Sequence, residues 1–452
     1  MQRIILLIFT LGLAILNSYG QQVIHKDAKK FYKAAVVILG KKNIDPVQLN
    51  NAFSNLKKAY EIDSSYADIR LYLGVAYFYK SEYQQADIQF TNYKSMVKNI
   101  DANYFLYGGI VKYKLTDNIT AQENLQYYLN TFGGNQYLDS IAKRHLQLAK
   151  QSQTLMSKTL PSKKEIYSAI NTEEYDEYYP ILSADRKKIY FNRLETDTTS
   201  GKDINRIYIY FIEGDTMGAN PRPLPLNNIE NKEFIITSVN NNGKKILLIS
   251  KDNNGLYDIY ESEWMVREFA APRKMYSQLN SYADDKFATY GHNDSLIYII
   301  SNRPGGYGGY DIWKINYNSR IINESMINLG PLINTEYNEN FIATVSNSNL
   351  LFFASEGHLN IGESDIFKTR LEYGQYTRPI NLGYPINTTN DENSFYPFPT
   401  ANMGLSSQKN ASWDIITTYL PPKAKKPAYI MQEQYLDDAK LGKTSIITPK
   451  DE

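Results

Sequence analysis

Two hydrophobic patterns divide the chain. Between residues 26 and 158 Gly and Pro are sparse, and apolar residues recur at helical spacing, as in the run from Leu71 to Phe90. Beyond residue 160, short β-branched or alternating runs are bounded by Asn, Gly and Asp, which is typical of strands. The pattern predicts a helical amino-terminal region followed by an all-β region.

One phrase recurs five times in the β region: a branched aliphatic residue, Asn, then Ser, Thr or Asn, with a carboxylate five or six residues after the first Asn. The Asn residues stand at positions 171, 227, 280, 334 and 387, so the steps are 56, 53, 54 and 53 residues. The repeat carboxylates are Glu177, Glu233, Asp285, Glu339 and Glu392. A near-constant period indicates one supersecondary unit that is copied and packed on itself.

A second phrase keeps phase with the first. An Asp-Ile pair follows the repeat carboxylate by 22 to 26 residues at Asp258, Asp311, Asp365 and Asp414, and Arg206-Ile207 occupies this place in the first copy. Each copy then holds four short antiparallel strands, which is the pattern of a β-propeller blade. Five blades are expected, and the recurring Asp residues are interpreted as structural.

The phase of the repeat also predicts how the ring closes. After Ile416 the chain has no fourth strand for the last blade, whereas residues 163–168 resemble the fourth strand of a later copy at Lys274–Ser277. A strand from the amino-terminal side of the β region would complete the last blade and leave no free sheet edge.

The helical region has its own period. Leu39-Gly40, Leu73-Gly74 and Tyr107-Gly108 are 34 residues apart, and Ala52, Ala86 and Ala121 follow at 34 and 35. This is the tetratricopeptide period, in which small residues let paired helices approach each other. We expect a tetratricopeptide-type α-solenoid of about three repeats over residues 21–158, with a final helix at 135–156.

The first twenty residues have the pattern of an export signal. Arg3 is followed by an apolar run from Ile4 to Leu16, and Ser18 and Gly20 are small residues before an expected cut at Gln21. The run is short for a spanning helix, which favours a cleaved signal peptide (1–20) over a membrane anchor. The mature protein is then expected in the periplasm or at the outer membrane, without a membrane span.

Composition excludes several classes of function. The chain has no Cys, which excludes disulfides, thiol catalysis and Cys-metal sites. Lys and Arg (49) nearly balance Asp and Glu (48), so no broad attraction to nucleic acid is expected. The 39 Tyr residues exceed what the cores need, and exposed Tyr is favoured in recognition surfaces.

The blade consensus resembles a known family. Residues 299–312, which read Ile-Ile-Ser-Asn-Arg-Pro-Gly-Gly-Tyr-Gly-Gly-Tyr-Asp-Ile, are similar to the TolB-like, WD40-like propeller repeat of periplasmic proteins. Tetratricopeptide helices before such a propeller resemble the OmpA-family envelope proteins of Bacteroidota, including those of type IX secretion and gliding. The resemblance covers about residues 26 to 420. Members of that family usually continue into an OmpA-type peptidoglycan-binding domain, but residues 421–452 are expected to be a flexible tail, so anchoring to the cell wall through such a domain is not carried over.

Candidate catalytic and metal sites are few. The Gly-rich stretch 305–309 lacks the Lys-Ser/Thr of a phosphate loop and is interpreted as a tight turn. The four His residues lie in different repeats without ligand spacing: His25, His145, His292 and His358. The segment Gly404–Gln408 lacks the closing Gly of a nucleophile elbow. No catalytic residue, metal or cofactor is predicted.

The five repeat carboxylates have two interpretations. They hydrogen-bond turn amides within their own blades, or they form an acidic collar at one mouth of the channel that holds a cation or a partner's Lys or Arg. Loops between strands two and three differ from blade to blade, and such variation is typical of recognition surfaces. The candidate contact residues in these loops are Arg303, Tyr307, Tyr310, His358 and Trp413. In the helical region, Tyr72, Tyr79 and Tyr104 are candidates to line a groove for a peptide or helix, or are core residues.

We therefore predict a non-catalytic envelope scaffold that binds outer-membrane or periplasmic proteins and not nucleic acid. The alternative is a propeller carbohydrate-binding protein or glycoside hydrolase. Such hydrolases need paired carboxylates on the inner strands. The inner strands predicted here hold neither Asp nor Glu: 178–182, 234–239, 287–291, 341–345 and 395–399.

Overall fold

The computed structural model divides the chain into two compact units, residues 1–153 and 154–452. It describes residues 24–41, 43–157, 163–166, 168–198, 201–213, 216–217, 220–227, 232–317, 325–345, 348–398, 403–409 and 413–419. The predicted signal peptide and the predicted tail lie outside these ranges. Within them, no helix combines the length and the apolar character that a membrane crossing requires.

The amino-terminal region is helical, as predicted. Its helices are α1 (Lys26–Leu39), α2 (Pro46–Ile62), α3 (Ala67–Tyr79), α4 (Tyr83–Met96), α5 (Gly109–Lys114), α6 (Asn118–Thr131) and α7 (Gln136–Met156). Helix α2 begins where the carboxylate of Asp45 accepts a hydrogen bond from the Gln48 amide at 2.8 Å. A single π turn, Tyr104–Gly108, leads directly into α5.

Glycine permits close helix packing at two positions. A Cβ atom on Gly74 would lie 2.7 Å from the ring of Phe90, and one on Gly109 would lie 2.8 Å from Cγ of Leu125. The sequence spacing predicts Gly108 for the second contact, but a Cβ there would meet its nearest atoms at an ordinary 3.8 Å. The π turn takes up one extra residue. The repeat step is therefore 35 residues here, as it is between Phe90 and Leu125.

The second unit is a five-bladed β-propeller, as predicted. Blade 1 consists of β2 (Asp176–Leu182), β3 (Lys188–Thr196), β4 (Asp203–Glu213) and β6 (Arg222–Pro223), with β5 (Thr216–Met217) extending β4. Blade 2 consists of β7 (Ile235–Val239), β8 (Lys245–Lys251), β9 (Tyr257–Glu263) and β10 (Arg273–Lys274). Blade 3 consists of β11 (Asp285–Tyr290), β12 (Leu296–Ser301), β13 (Asp311–Asn316) and β14 (Ile327–Asn328).

Blade 4 consists of β15 (Glu339–Thr344), β16 (Leu350–Ser355), β17 (Asp365–Glu372) and β19 (Ile380–Asn381), with β18 (Gln375–Tyr376) extending β17. Blade 5 consists of β20 (Tyr396–Phe398), β21 (Met403–Lys409), β22 (Trp413–Tyr419) and β1 (Lys163–Ile166). Three inner strands begin earlier than predicted and include the repeat carboxylate: β2, β11 and β15.

Strand β1 closes the ring, which confirms the prediction from the repeat phase. It pairs antiparallel with β22, and the register places Lys163 opposite Tyr419 and Ile166 opposite Ile416. The outer edge of blade 5 is thereby covered by a strand that lies about 250 residues earlier in the chain.

We expect ring closure to contribute strongly to stability. Replacing residues 163–166 with Gly-Ser-Gly-Ser, which keeps the chain length, should lower the Tm of the propeller because Gly disfavours the extended strand that pairs with β22. The matched control replaces 423–426 with the same four residues. Thermal unfolding followed by circular dichroism measures both, and equal melting of the two variants would contradict a stabilising role for β1.

Candidate functional site

The two recurring phrases contact each other. The side-chain amide of Asn334 forms two hydrogen bonds with the backbone of Ile312: its Oδ1 accepts from the N–H at 2.8 Å, and its Nδ2 donates to the carbonyl at 2.9 Å. Three other blade connections have the same two bonds, at 2.6 to 2.9 Å, in the pairs Asn171–Ile415, Asn280–Ile259 and Asn387–Ile366. We call this contact the amide clamp. It explains why the Asn and Asp-Ile phrases stay in phase.

The repeat carboxylates stabilise the turn that connects the amide clamp to the next inner strand. Glu339 accepts hydrogen bonds from the amide and hydroxyl of Thr335 at 3.2 and 2.9 Å, and from the Ser355 hydroxyl at 2.9 Å. Equivalent bonds from a Ser or Thr, at 2.6 to 3.1 Å, reach Glu177, Asp285 and Glu392. All four carboxylates are buried.

Of the two interpretations of the five carboxylates, hydrogen bonding within the blades describes these four. Their burial removes them from the surface, so they do not form the open acidic collar that the sequence also allowed. Glu233 is exposed and differs from the others.

Cationic side chains complete several of these connections. Arg193 donates to Glu177 at 2.7 Å and to the carbonyl of Ile170 at 2.9 Å. Arg303 donates to Asp285 and to the carbonyl of Leu279, both at 2.8 Å. The Arg303 side chain is only 10% exposed. We therefore correct its expected role, since a guanidinium held in this way connects the turn and is largely withdrawn from a partner.

His358 has a similar place in blade 4. Its Nε2 lies 2.9 Å from the carbonyl oxygen of Ile333, and its ring packs against Phe353 and Phe367. Burial lowers the pKa of His358 below its ordinary value. It too belongs to the blade connection more than to an exposed contact surface. The side chain of Trp413 lies outside the described residues, so its expected contact role stays a prediction.

Among the described residues, no arginine pairs with Glu339 in blade 4 as Arg193 and Arg303 pair with the carboxylates of blades 1 and 3. Burial therefore raises the pKa of Glu339 to about 8, with a further contribution from the charge of Asp311, while hydrogen bonds from Ser355 and Thr335 act in the opposite direction. In blade 1 the charge of Arg193 opposes the effect of burial on the pKa of Glu177. Burial thus favours the protonated, uncharged form of Glu339.

The Gly-rich segment 305–309 is a loop packed against the next blade connection. A Cβ on Gly308 would lie 2.3 Å from the Thr335 carbonyl oxygen, so a larger residue does not fit. The carboxylate of Asp311 accepts hydrogen bonds from the amides of Tyr307 and Gly308. These contacts make the loop and its Asp structural, whereas the side chain of Tyr307 is 52% exposed.

Tyr310 belongs to a polar network that the sequence did not indicate. Its hydroxyl donates to Asp284 at 2.7 Å, and Nζ of Lys286 lies 3.6 Å from the centre of its ring. Lys286 also donates to Asn340 at 2.8 Å, and burial lowers its pKa to about 8. Both Lys286 and Asn340 are the extra residue of a β-bulge, because pairing shifts by one residue at each. Sequence patterns do not reveal such bulges.

Aromatic rings from four inner strands form a continuous chain that joins blade 1 directly to blade 3 and continues to blades 4 and 5. Ring centres are 5.4 Å apart in the pairs Tyr179–Phe287 and Phe287–Phe341, and 5.5 Å apart in Phe341–Tyr396. The Tyr396 hydroxyl then donates to the carbonyl of Thr237 in blade 2 at 3.1 Å. Large side chains therefore occupy the centre of the ring at this level.

A small cavity lies between the first and last blades. Its volume is about 280 Å³, and it is lined by Asp176, Tyr178, Tyr179, Leu194, Asn393 and Ser407. Among the described residues, no group of three or more His, Cys, Asp or Glu side chains is arranged to hold a metal ion.

The three tyrosines predicted for the helical groove occupy different environments. Tyr104 is 7% exposed and packs edge-on against Phe90, so it belongs to the core. Tyr72 and Tyr79 are partly buried, and the Tyr79 hydroxyl lies 3.2 Å from that of Tyr107. Of the three, Tyr72 and Tyr79 keep some exposed surface.

Similar solved structures include TolB of Acinetobacter baumannii, with 17% identity, a TM-score of 0.31 and coverage of 54% of each chain. A protein assigned as TolB in Agrobacterium tumefaciens has 15% identity, a TM-score of 0.34 and coverage of 56% of this chain and 79% of that one. The GH62 α-L-arabinofuranosidase domain of Coprinopsis cinerea has 11% identity, a TM-score of 0.34 and coverage of 55% and 92%. No family profile and no curated protein matches the chain. Such similarities do not establish a family.

The amide clamp should be a measurable source of stability. Asn334→Ala leaves the buried N–H of Ile312 without its partner and should lower the free energy of unfolding by about 1 to 3 kcal/mol. The matched control is Asn227→Ala, because Asn227 is exposed and forms no amide clamp within the described residues. Urea unfolding of both variants measures the effect. Equal losses of unfolding free energy in the two variants would show that the clamp contributes no more to stability than an exposed Asn does.

Stability should also depend on pH through Glu339. Its pKa rises from 4.5 in the unfolded chain to about 8 in the folded protein. The stabilising contribution is therefore complete below pH 4.5 and is lost as pH rises through 8, with a slope of up to about 1.4 kcal/mol per pH unit. Glu339→Gln should flatten this decline, whereas Glu233→Gln should leave it unchanged. If the unfolding free energies of the two variants declined equally with pH, the decline could not be assigned to Glu339.

Proposed function

We propose that the protein is a non-catalytic scaffold of the cell envelope that binds other proteins through its propeller and its helical unit. The observation that supports this proposal best is that the recurring polar residues form hydrogen bonds within the propeller itself. Glu177, Asp285, Glu339 and Glu392 are all buried and hydrogen-bonded in blade connections. The most conspicuous carboxylates in the sequence thus serve the fold.

The geometry of the ring centre argues against the alternative of a glycoside hydrolase. Hydrolysis of a glycosidic bond requires two carboxyl groups on either side of the substrate, about 5 to 9.5 Å apart. In the described inner strands, the buried repeat carboxylates are directed into their blade connections, and the chain of rings from Tyr179 to Tyr396 fills space that a substrate would need. We therefore favour binding over catalysis.

The propeller has an exposed surface that suits a protein partner. Several large apolar or aromatic side chains project from the loops and connections of blades 3 and 4, namely Tyr282, Tyr307, Leu332, Tyr337 and Leu359. The backbone links their segments, since the Gly309 amide donates to the Tyr337 carbonyl at 3.3 Å. Exposed aromatic residues grouped in this way are typical of interfaces. We call these five residues the loop surface.

The helical unit is proposed to provide a second binding surface of the tetratricopeptide type. Its support is the paired helices, the 34- and 35-residue steps and the close contacts of Gly74 and Gly109. Stacked helix pairs of this kind present an extended surface to peptides. Together with the predicted export signal, this arrangement suits a subunit of a periplasmic or outer-membrane assembly, of which a type IX secretion or gliding complex is one example.

Partner capture tests the scaffold proposal. In crosslinking pull-downs from native envelope extracts, we expect the purified full chain to retain specific proteins. A double change in the loop surface, Tyr307→Ala with Leu359→Ala, should reduce capture of the propeller-dependent partners, because exposed aromatic and aliphatic side chains dominate interface energetics. The control is Tyr373→Ala, a fully exposed residue in the hairpin between β17 and β18.

Two outcomes would contradict the proposal. Failure of the full chain to capture any specific protein would remove the scaffold role, and equal capture by the loop-surface variant would remove this surface from it. Turnover of polysaccharides, peptidoglycan fragments or simple esters by the purified protein, abolished by Asp285→Asn or Glu339→Gln, would establish an enzyme instead.

A further inference from the structure

A cluster of three tyrosine rings lies on the first helices of two successive helix pairs. The ring of Tyr32 in α1 packs edge-on against Tyr66, immediately before α3, and against Tyr72 in α3. The ring centres are 5.6 and 5.7 Å apart, with interplanar angles of 79° and 77°. All three side chains are only partly buried, so the cluster reaches the surface of the helical unit.

One carboxylate contacts these rings. Asp68 accepts a hydrogen bond from the Tyr66 hydroxyl at 3.0 Å, and it is partly buried. Burial raises the pKa of Asp68, and the negative charge of Asp101 raises it further. Burial also raises the pKa of Tyr32 and of Tyr72, and the charges of Asp68 and Asp101 add to this effect. The electrostatic field around the rings is therefore negative.

Asp68 has no cationic partner among the described residues. Elsewhere in the unit, the comparably buried Asp87 forms an ion pair with Lys112 at 2.9 Å. Arg70, two positions after Asp68, is directed instead toward Tyr60, to whose hydroxyl it donates at 2.7 Å. Partial burial of a carboxylate without a compensating charge costs free energy. A cation from outside the chain would remove that cost.

The surrounding rings suit the same ligand. An ammonium or guanidinium group over a tyrosine ring gains about 0.5 to 2 kcal/mol, depending on how far it is desolvated. A carboxylate beside the ring adds a charge-assisted hydrogen bond. Aromatic faces and an uncompensated carboxylate therefore favour the same chemical group, whereas an acidic peptide or an anionic lipid surface would be repelled.

We propose that Tyr32, Tyr66, Tyr72 and Asp68 form a docking site for a Lys or Arg side chain in an extended segment of a partner protein. The inference rests on the proposed scaffold role and gives the chemistry of one partner contact. We call these four residues the cation site. Charge complementarity identifies the occupant, because the stem of a Lys or Arg can pack on the rings while its charged end reaches Asp68.

Binding of matched peptides to the full-length protein tests the proposal. Fluorescence polarisation would compare a labelled Gly/Ser peptide that carries lysines with the same peptide carrying norleucine, which keeps the stem without the charge. We expect the lysine peptide to bind at least about tenfold more tightly, and arginine to replace lysine. Asp68→Asn should remove most of this preference, and Tyr72→Leu should weaken binding of both peptides.

The matched control is Asp87→Asn, which removes a carboxylate of the same unit that already has an internal cation. It should leave the lysine preference unchanged but lower the Tm. Asp68→Asn should leave the Tm unchanged or raise it, since the variant removes an uncompensated charge. This opposite pattern separates a binding role from a structural one.

Equal affinity for the lysine and norleucine peptides would overturn the cation site. So would an Asp87→Asn variant that loses as much of the preference as Asp68→Asn does. Neither result would affect the scaffold proposal if the full chain still captures envelope proteins. Conversely, lysine-selective binding without capture of any envelope protein would uphold the site and refute the scaffold role.

Discussion

The propeller depends on one interaction, the amide clamp between a connecting Asn and the third strand of the blade before it. The fourth strands are short, so the clamp extends the pairing of the third strand beyond them. An Asn side chain carries the same donor and acceptor as a peptide group and can therefore take the place of a strand residue. Between Asn171 and Ile415 the clamp links residues 244 positions apart and thus spans the ring closure. Four of the five blade connections have this interaction, and among the described residues the connection from blade 1 to blade 2 at Asn227 does not.

Functional groups in a repeat protein are easily misidentified because structural groups recur most visibly. Glu177, Asp285 and Glu339 recur at nearly constant spacing in the sequence, as the members of a functional ring of charges would. Each nevertheless accepts hydrogen bonds within its own turn. Their surroundings vary among blades: arginine pairs with the first two, and burial without such a pair raises the pKa of the third. Different solutions to the same burial problem are consistent with selection for the turn and not for a shared charge.

The sequence predicted the features that depend on periodicity, namely the five blades, the closing strand and the helical region. It could not identify the residues whose roles depend on a single local irregularity of the backbone. Gly109 replaces Gly108 at the helix contact because a π turn adds one residue, and Lys286 faces Tyr310 because a bulge displaces it. Tyr72 and Tyr104 were both predicted as candidates for the helical groove, but tertiary packing buries Tyr104 more deeply.

Recognition is then expected where the repeat is broken. Tyr307 and Leu359 have no common counterpart in the other blades. The fold explains residues that recur, through clamps, capped turns and close glycine contacts. It does not require an uncompensated Asp68 beside three tyrosines, since the neighbouring Asp87 shows that this unit can pair a carboxylate internally. A carboxylate that no cation of the same unit compensates is a feature that a cationic group of a partner can bind.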